Sequence, residues 1–196
     1  GGITSNPVAA GSNMVWTAND GLQADGKHGD ELWVSNGTAA GTSLVDINQS
    51  SWYNGGNSYP SGFTKNGNLT YFSARNATNG NELWQTDGTA AGSTLAADIN
   101  PNTENSNADS FVVAGNRYYF RAYTQQYGWE LYTSTSATGS ATLVKDIRIN
   151  GDSCPDSFTA SGNKMFFRAD DGINGREIWV TDGTAAGTRM VKNICP

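Results

Sequence analysis

This chain of 196 residues holds one histidine, His28, and two cysteines, Cys154 and Cys195. It has few of the side chains that most often do chemistry at neutral pH. No Ser-His-Asp set, GxSxG elbow, HExxH helix or phosphate-cradling glycine loop occurs. Charged residues are scarce, at 15%, and the net charge is −6. The twelve Lys and Arg are scattered and form no cluster, which argues against nucleic acid and anionic membrane surfaces as partners. No apolar run approaches the length of a membrane-spanning helix, so membrane insertion is not expected. Neither an initiating Met nor a signal-peptide pattern is present, and the chain reads as a processed or trimmed product.

Glycine, by contrast, is abundant (24 residues), as are Asn, Ser and Thr, and aromatics reach 11%. This is the composition of a turn-rich all-β protein. Its organisation comes from one motif read four times: Glu31-Leu32-Trp33, Glu82-Leu83-Trp84, Glu130-Leu131-Tyr132 and Glu177-Ile178-Trp179, at spacings of 51, 48 and 47 residues. A period near fifty is the size of a four-stranded propeller blade. Each copy parses as strands A to D. In the last, SFTAS (157–161), KMFFRA (164–169), REIWVT (176–181) and TRMVKNI (188–194) are separated by turn-rich loops. The expectation is an all-β, four-bladed β-propeller with four antiparallel strands per blade. It forms one domain over 1–196, with blades near 1–50, 51–102, 103–151 and 152–196. A β-sandwich of paired repeats is the alternative.

The strings GDELWVSNGTAAGT (29–42), GNELWQTDGTAAGS (80–93) and GREIWVTDGTAAGT (175–188) resemble the bacterial repeat family named for its ELWxxDGT signature. Copy three departs from it, with Thr135-Ser136-Ala137 where DGT is expected, and copy one has Asn36 for Asp. The resemblance implies a secreted or surface-displayed protein, often a module of larger adhesin-like chains, and no activity. The strand layout is also similar, by pattern only, to four-bladed hemopexin-like propellers.

A residue needed in every copy is more readily explained as scaffold than as an active site. By that logic the four motif glutamates accept backbone N–H groups from a neighbouring loop and stay charged, with lowered pKa. The motif Trp packs between blades, and the DGT loops form Asx turns. Asp46, Asp98, Asp146 and Asn193, near the ends of the D strands, cap turns. The oxygen-rich loop with Asp170, Asp171 and Asn174 is a candidate calcium site, and no other cofactor is implied. An even cysteine count suggests a Cys154–Cys195 disulfide and an oxidising location, the alternative being two free thiols.

Function is then sought where copies disagree. Trp52, Tyr53 and Tyr59 lie in the long linker between blades one and two. Tyr123, Tyr127 and Trp129 are assigned to the B–C loop of blade three. A meander places both groups at the same end of the blades, where exposed aromatics beside amides and acids suit sugar rings. The expected function is a non-enzymatic extracellular binding module for a glycan or a cell-surface partner. The alternative is a structural module that self-associates or assembles through its faces. Glycosidase chemistry needs only two carboxylates, but nothing singles out a pair.

Overall fold

The computed structural model describes residues 1–21, 28–49, 56–135 and 140–194. It is all-β, a propeller-type fold of four antiparallel blades, with no α-helix among the described residues. Blade one comprises β1 (Gly2–Ile3), β2 (Val8–Ala10), β3 (Asn13–Asn19), β4 (Asp30–Ser35) and β5 (Thr42–Val45). Blade two is β6 (Ser61–Asn66), β7 (Leu69–Asn76), β8 (Gly80–Thr86) and β9 (Thr94–Ala97). Blade three is β10 (Asp109–Ala114), β11 (Arg117–Thr124), β12 (Gly128–Thr135) and β13 (Thr142–Lys145). Blade four is β14 (Asp156–Ser161), β15 (Lys164–Asp170), β16 (Arg176–Thr181) and β17 (Arg189–Met190). Residues 1–106 and 107–196 form two compact units of two blades each.

The boundaries expected for the B and C strands hold within one or two residues. The D strands are shorter than expected. They stop at Val45, Ala97, Lys145 and Met190, because two to four residues later the backbone N–H of Ile47, Ile99, Ile147 or Ile194 leaves the ladder and turns to a motif glutamate. The A strand of blade one is also split. β1 and β2 pair with opposite halves of β3, and Pro7 lies in the break. In the other three blades the A strand crosses the same point on a β-bulge, whose extra residue takes positive φ: Gly62, Ser110 and Ser157.

Within each unit the blades stack face to face. In the first, Val15, Leu32 and Val34 of blade one pack against Phe72, Ala74 and Trp84 of blade two. In the second, Tyr119, Leu131 and Val144 of blade three pack against Met165, Phe167, Ala169 and Trp179 of blade four. Hydrophobic residues on both faces of each sheet follow from this stacking. Each buried aromatic of this kind contributes about 2–3 kcal/mol. The motif Trp is thus an inter-blade residue in blades two and four, as expected from its recurrence.

The stacking also fixes which loops meet. The A–B turn of one blade lies beside the C–D loop of the next, through Asn13 Nδ2 donating to Gly88 O at 2.9 Å. The D–A linker lies against the following blade's B strand and the preceding blade's C strand. Arg75 N–H donates to Ser58 O at 2.8 Å, and Ser58 N–H to Asp30 O at 3.0 Å.

Candidate functional site

The motif glutamates are the first candidates, being acids buried in every blade. Glu31 Oε2 accepts from Ile47 N–H (3.0 Å) and from the Ser58 hydroxyl (2.5 Å). Glu82 accepts from Ile99 N–H and Ser106 N–H, both at 2.8 Å. Glu130 accepts from the N–H groups of Ile147, Arg148 and Ser153 and from the Ser153 hydroxyl at 2.6 Å. Glu177 accepts from Ile194 N–H at 3.0 Å. Each of the first three carboxyls joins the end of its own D strand to the linker that begins the next blade. They are latches.

The expected pKa direction is wrong for these three. Burial, the dominant influence, pushes Glu31, Glu82 and Glu130 up to about 7, and the hydrogen bonds only partly offset it. Neighbouring Asp46 and Asp98 raise Glu31 and Glu82 further. Recurrence indicated a structural role but not how dry the pocket is.

The partner half of the latch was not anticipated from the sequence. It is a dipeptide, Asn57-Ser58, Asn105-Ser106 or Asp152-Ser153. The Ser serves the glutamate, and the Asn or Asp Oδ1 accepts the N–H of Asp30, Asn81 or Trp129, the residue before the glutamate, at 2.6–2.8 Å. Each Ser follows its glutamate by 27, 24 or 23 residues, too far for local patterning to pair them. The residue after each Ser is Tyr59, Asn107 or Cys154, and all three have positive φ, between 45° and 48°. Tyr59 and Cys154, singled out for unrelated reasons, therefore occupy equivalent positions. Gly80 takes φ +76 where the linker crosses it, and a Cβ there would collide with the Glu104 carbonyl.

The DGT loops carry a second recurring network. In blade two Asp87 Oδ1 accepts from Thr89 N–H and Oγ1–H, Thr89 Oγ1 accepts from Gly92 N–H, and Ser93 Oγ–H returns to Thr89 O. The same bonds occur around Asn36 and Asp182. Each turn satisfies itself, as the Asx-turn reading expects. The equivalent loop of blade three includes residues 136–139, outside the described set.

The linker end of the blades is less uniform. Asp98 Oδ2 accepts from Asn79 Nδ2 (2.9 Å), and Asn193 Nδ2 donates to Asn174 Oδ1 (2.8 Å). In blade one His28 fills the same place, its Nε2 3.8 Å from Asp46 and its Nδ1 3.3 Å from Asp20. Asp46, Asp98 and Asn193 thus reach across to the B–C loop. In the candidate calcium loop Asp171 accepts from the N–H groups of Ile173 and Asn174 and from Asn174 Nδ2. Asp170 accepts from Gly172 N–H and pairs with Arg148 at 3.4 Å. These oxygens already serve the turn. Among the described residues no group of three or more His, Cys, Asp and Glu side chains is placed to hold a metal ion.

The expected aromatic site is only partly visible. Trp52 and Tyr53 lie outside the described residues, as does Cys195, the expected partner of Cys154. Tyr59 is 47% exposed. Tyr123 and Trp129 are not loop residues as expected. They are a cross-strand pair at the ends of β11 and β12, and only Tyr127 lies in the three-residue turn between. The hairpin extends because Thr124 and Gly128 can still pair, and their neighbours carry β-favouring aromatic rings. The Tyr123 and Trp129 rings sit 5.8 Å apart, and the Arg121 guanidinium stacks 5.0 Å from the Trp129 centroid, held by a bidentate pair with Asp109. In the first unit a cleft of about 350 Å³ opens between linker and B–C loop, lined by Ile47, Gln49, Asn76, Ala77 and Thr78.

No family model and no curated relative matches the sequence. Among solved structures, the chain is similar to the acylaminoacyl peptidase of Pyrococcus horikoshii, with TM-score 0.55 and 12% identity over 96% of this chain and 27% of that one. It is also similar to TolB from Acinetobacter baumannii, with TM-score 0.48 and 13% identity over 96% of this chain and 43% of that one. The chain spans less than half of either protein's length. At this identity the peptidase likeness establishes shared fold alone.

Proposed function

We propose that this chain is a non-enzymatic, extracellular binding module that takes carbohydrate at the linker end of its blades. The observation that carries the reading is Tyr59. The linker needs a residue of positive φ there, and Asn107 supplies it at the equivalent place with little strain. Tyr59 holds φ 48 directly before Pro60, against the preferences of both a bulky residue and a pre-proline position. The residue stays exposed. Cys154 carries the same strain at φ 45 directly before Pro155, so the linker imposes the backbone, and what is particular to Tyr59 is the exposed aromatic side chain it holds there. The cleft at this end of the first unit offers the Gln49 amide and the Thr78 hydroxyl to sugar hydroxyls, with Ile47 as an apolar wall. Trp52 and Tyr53 belong to the same linker, and Tyr123, Tyr127 and Trp129 form a second aromatic group at the corresponding end of blade three.

The reading includes a surface or secreted location and a Cys154–Cys195 disulfide. It assigns no catalytic step. Affinity measured on a glycan array, then by titration, tests it. Tyr59→Ala should weaken binding severalfold with the fold intact. Full binding by both Tyr59→Ala and Trp129→Ala, or no binding by the wild type, would place function elsewhere. Thiol titration of unreduced, denatured protein tests the disulfide, and two reactive thiols would count against it. A second reading is a structural module that assembles through its blade faces, and exposed apolar residues such as Ile178 and Val191 favour it.

A further inference from the structure

In the first unit one carboxyl holds both the cleft and the strained linker. Glu31 Oε2 accepts the Ile47 N–H at 3.0 Å and the Ser58 hydroxyl at 2.5 Å. Ile47 walls the cleft. Ser58 directly precedes Tyr59, whose own N–H donates to Asp30 O at 3.0 Å. The second oxygen of the carboxyl, Oε1, is buried and has no hydrogen-bond partner, and Glu31 is inaccessible to solvent. An unpartnered oxygen in dry surroundings favours a neutral carboxyl over a carboxylate. Burial accordingly pushes Glu31 up to about 7.

One contact beside it responds to protons where its counterpart in blade two does not. Asp46 raises Glu31 further by its charge, and Asp46 Oδ1 is likewise buried without a partner. Asp46 Oδ2 lies 3.8 Å from His28 Nε2, and His28 Nδ1 lies 3.3 Å from Asp20 Oδ2. His28 thus stands between two acids, one at each ring nitrogen. A neutral imidazole carries a proton on only one nitrogen, so both contacts are favourable only for the imidazolium. Histidine is the side chain that changes charge near neutral pH. In blade two Asn79 holds this place, and its amide donates to Asp98 without a change of charge. With Glu31 neutral and His28 charged, the group of Asp20, His28, Glu31 and Asp46 carries a net −1; with both deprotonated it carries −3. The other charged groups around the junction are Asp30, next to Glu31 on β4, the amino group of Gly1, which lies against Gly21, and Arg75 of β7, whose backbone N–H donates to Ser58 O.

Resting on the carbohydrate reading of this end, we infer that binding there is gated by protons: the protonated junction of Asp20, His28, Glu31 and Asp46 holds Ile47 and the Ser58-Tyr59 linker in place, and loss of its protons releases them. The closed junction binds the Glu31 proton more tightly than an opened, hydrated one. Its hold is therefore complete below about pH 4.5 and is lost as pH rises through about 7. Carbohydrate bound through Tyr59 and the cleft is retained in mildly acidic medium and given up in alkaline medium.

Amide exchange followed by NMR, each rate divided by its intrinsic value at that pH, reads the junction without carbohydrate. Between pH 6 and pH 8 the protection of Ile47 and Tyr59 should fall by about tenfold or more. Glu31→Gln copies the neutral carboxyl and should hold that protection level, while Ile99 and Ser106, bound to Glu82, keep the wild-type dependence. His28→Asn gives blade one the residue of blade two at a partly exposed site. It should lower protection at pH 6 and leave a shallower fall. A glycan array read at pH 6 and at pH 8 carries the consequence for binding. Wild-type signals should drop severalfold at pH 8, and those of Glu31→Gln should not. Protection of Ile47 and Tyr59 that is unchanged by pH overturns the inference, as do array signals equal at both pH values. An array blank at both, beside protection that falls, overturns the carbohydrate reading alone and supports the proton-held linker.

Discussion

The two ends of these blades follow different rules. At the end formed by the A–B and C–D turns, the loops around Asn36, Asp87 and Asp182 make the same bonds to the same partners and turn inward on themselves. At the end formed by the linkers and B–C loops, the glutamate and its serine recur, but the residue before the glutamate is Asp30, Asn81, Trp129 or Arg176. The third residue before it is His28, Asn79, Tyr127 or Asn174. The fixed residues accept backbone N–H groups that would otherwise be buried without partners, a demand that does not vary from blade to blade. The variable columns project from that frame and are free to differ. A repeat protein thus separates scaffold from candidate function within one end of a blade, position by position.

The largest test of this division is pH. Glu31, Glu82 and Glu130 are raised by burial from 4.5 to about 7 in the folded state. The folded protein then binds protons more tightly than the unfolded chain. The stability this brings is complete below about pH 4.5 and is lost as pH rises through about 7. Each carboxyl contributes on the order of 2–3 kcal/mol to that dependence. Asp87, Asp156 and Asp182, held below their usual range chiefly by hydrogen bonds from Thr89, Arg168 and Thr184, act oppositely. Their share is lost only as pH falls below about 4. Calorimetry should therefore find the melting temperature highest near pH 5 and lower at pH 8. A rise over that interval would mean the latches are charged and better solvated than the geometry indicates.

Next is removal of one latch. Glu130→Ala leaves the N–H groups of Ile147, Arg148 and Ser153 without their acceptor and opens a cavity between blade three and the linker to blade four. Urea denaturation should show a loss of about 3–5 kcal/mol. Glu130→Gln should lose less and flatten part of the pH profile. At the opposite end Asp182→Ala removes only a local turn acceptor. It should cost about 1 kcal/mol and leave any carbohydrate affinity at the linker end unchanged. A loss as large as that of Glu130→Ala would erase the proposed contrast between latch and turn. The smallest effect expected is a gain. Tyr59→Asn puts the residue of the equivalent linker at the strained position and should stabilise the fold by about 0.5–1 kcal/mol. If Tyr59 serves carbohydrate, the same change weakens binding. Loss of stability instead would make its ring a packing residue.

Much of this molecule was legible from spacing alone. The four-copy period set the number of blades, and the turn-rich loops between SFTAS, KMFFRA, REIWVT and TRMVKNI set the order of the strands within one. The self-contained DGT turn was legible because Asp, Gly and Thr carry their geometry locally. Three things were not. The Asn57-Ser58, Asn105-Ser106 and Asp152-Ser153 partners lie more than twenty residues from their glutamates and carry no local periodicity. The extension of the β11–β12 hairpin to Tyr123 and Trp129 depended on which of two short-range alternatives, loop or ladder, the surrounding sheet would support. The pKa direction at Glu31, Glu82 and Glu130 depended on burial, which a hydrogen-bond count does not contain.

What the sequence by itself determined is the repeating unit, because strand alternation, turn chemistry and the fifty-residue period are local properties written into each copy. What only the tertiary structure decided is how the copies use their faces. It decided that a glutamate buried in one blade is held by the linker of the next, and that Tyr59 and Cys154 share one strained backbone position. It also decided that Met165 is covered while Met14 is not. Burial and strain belong to pairs of surfaces, and no single copy of the repeat contains both members of the pair.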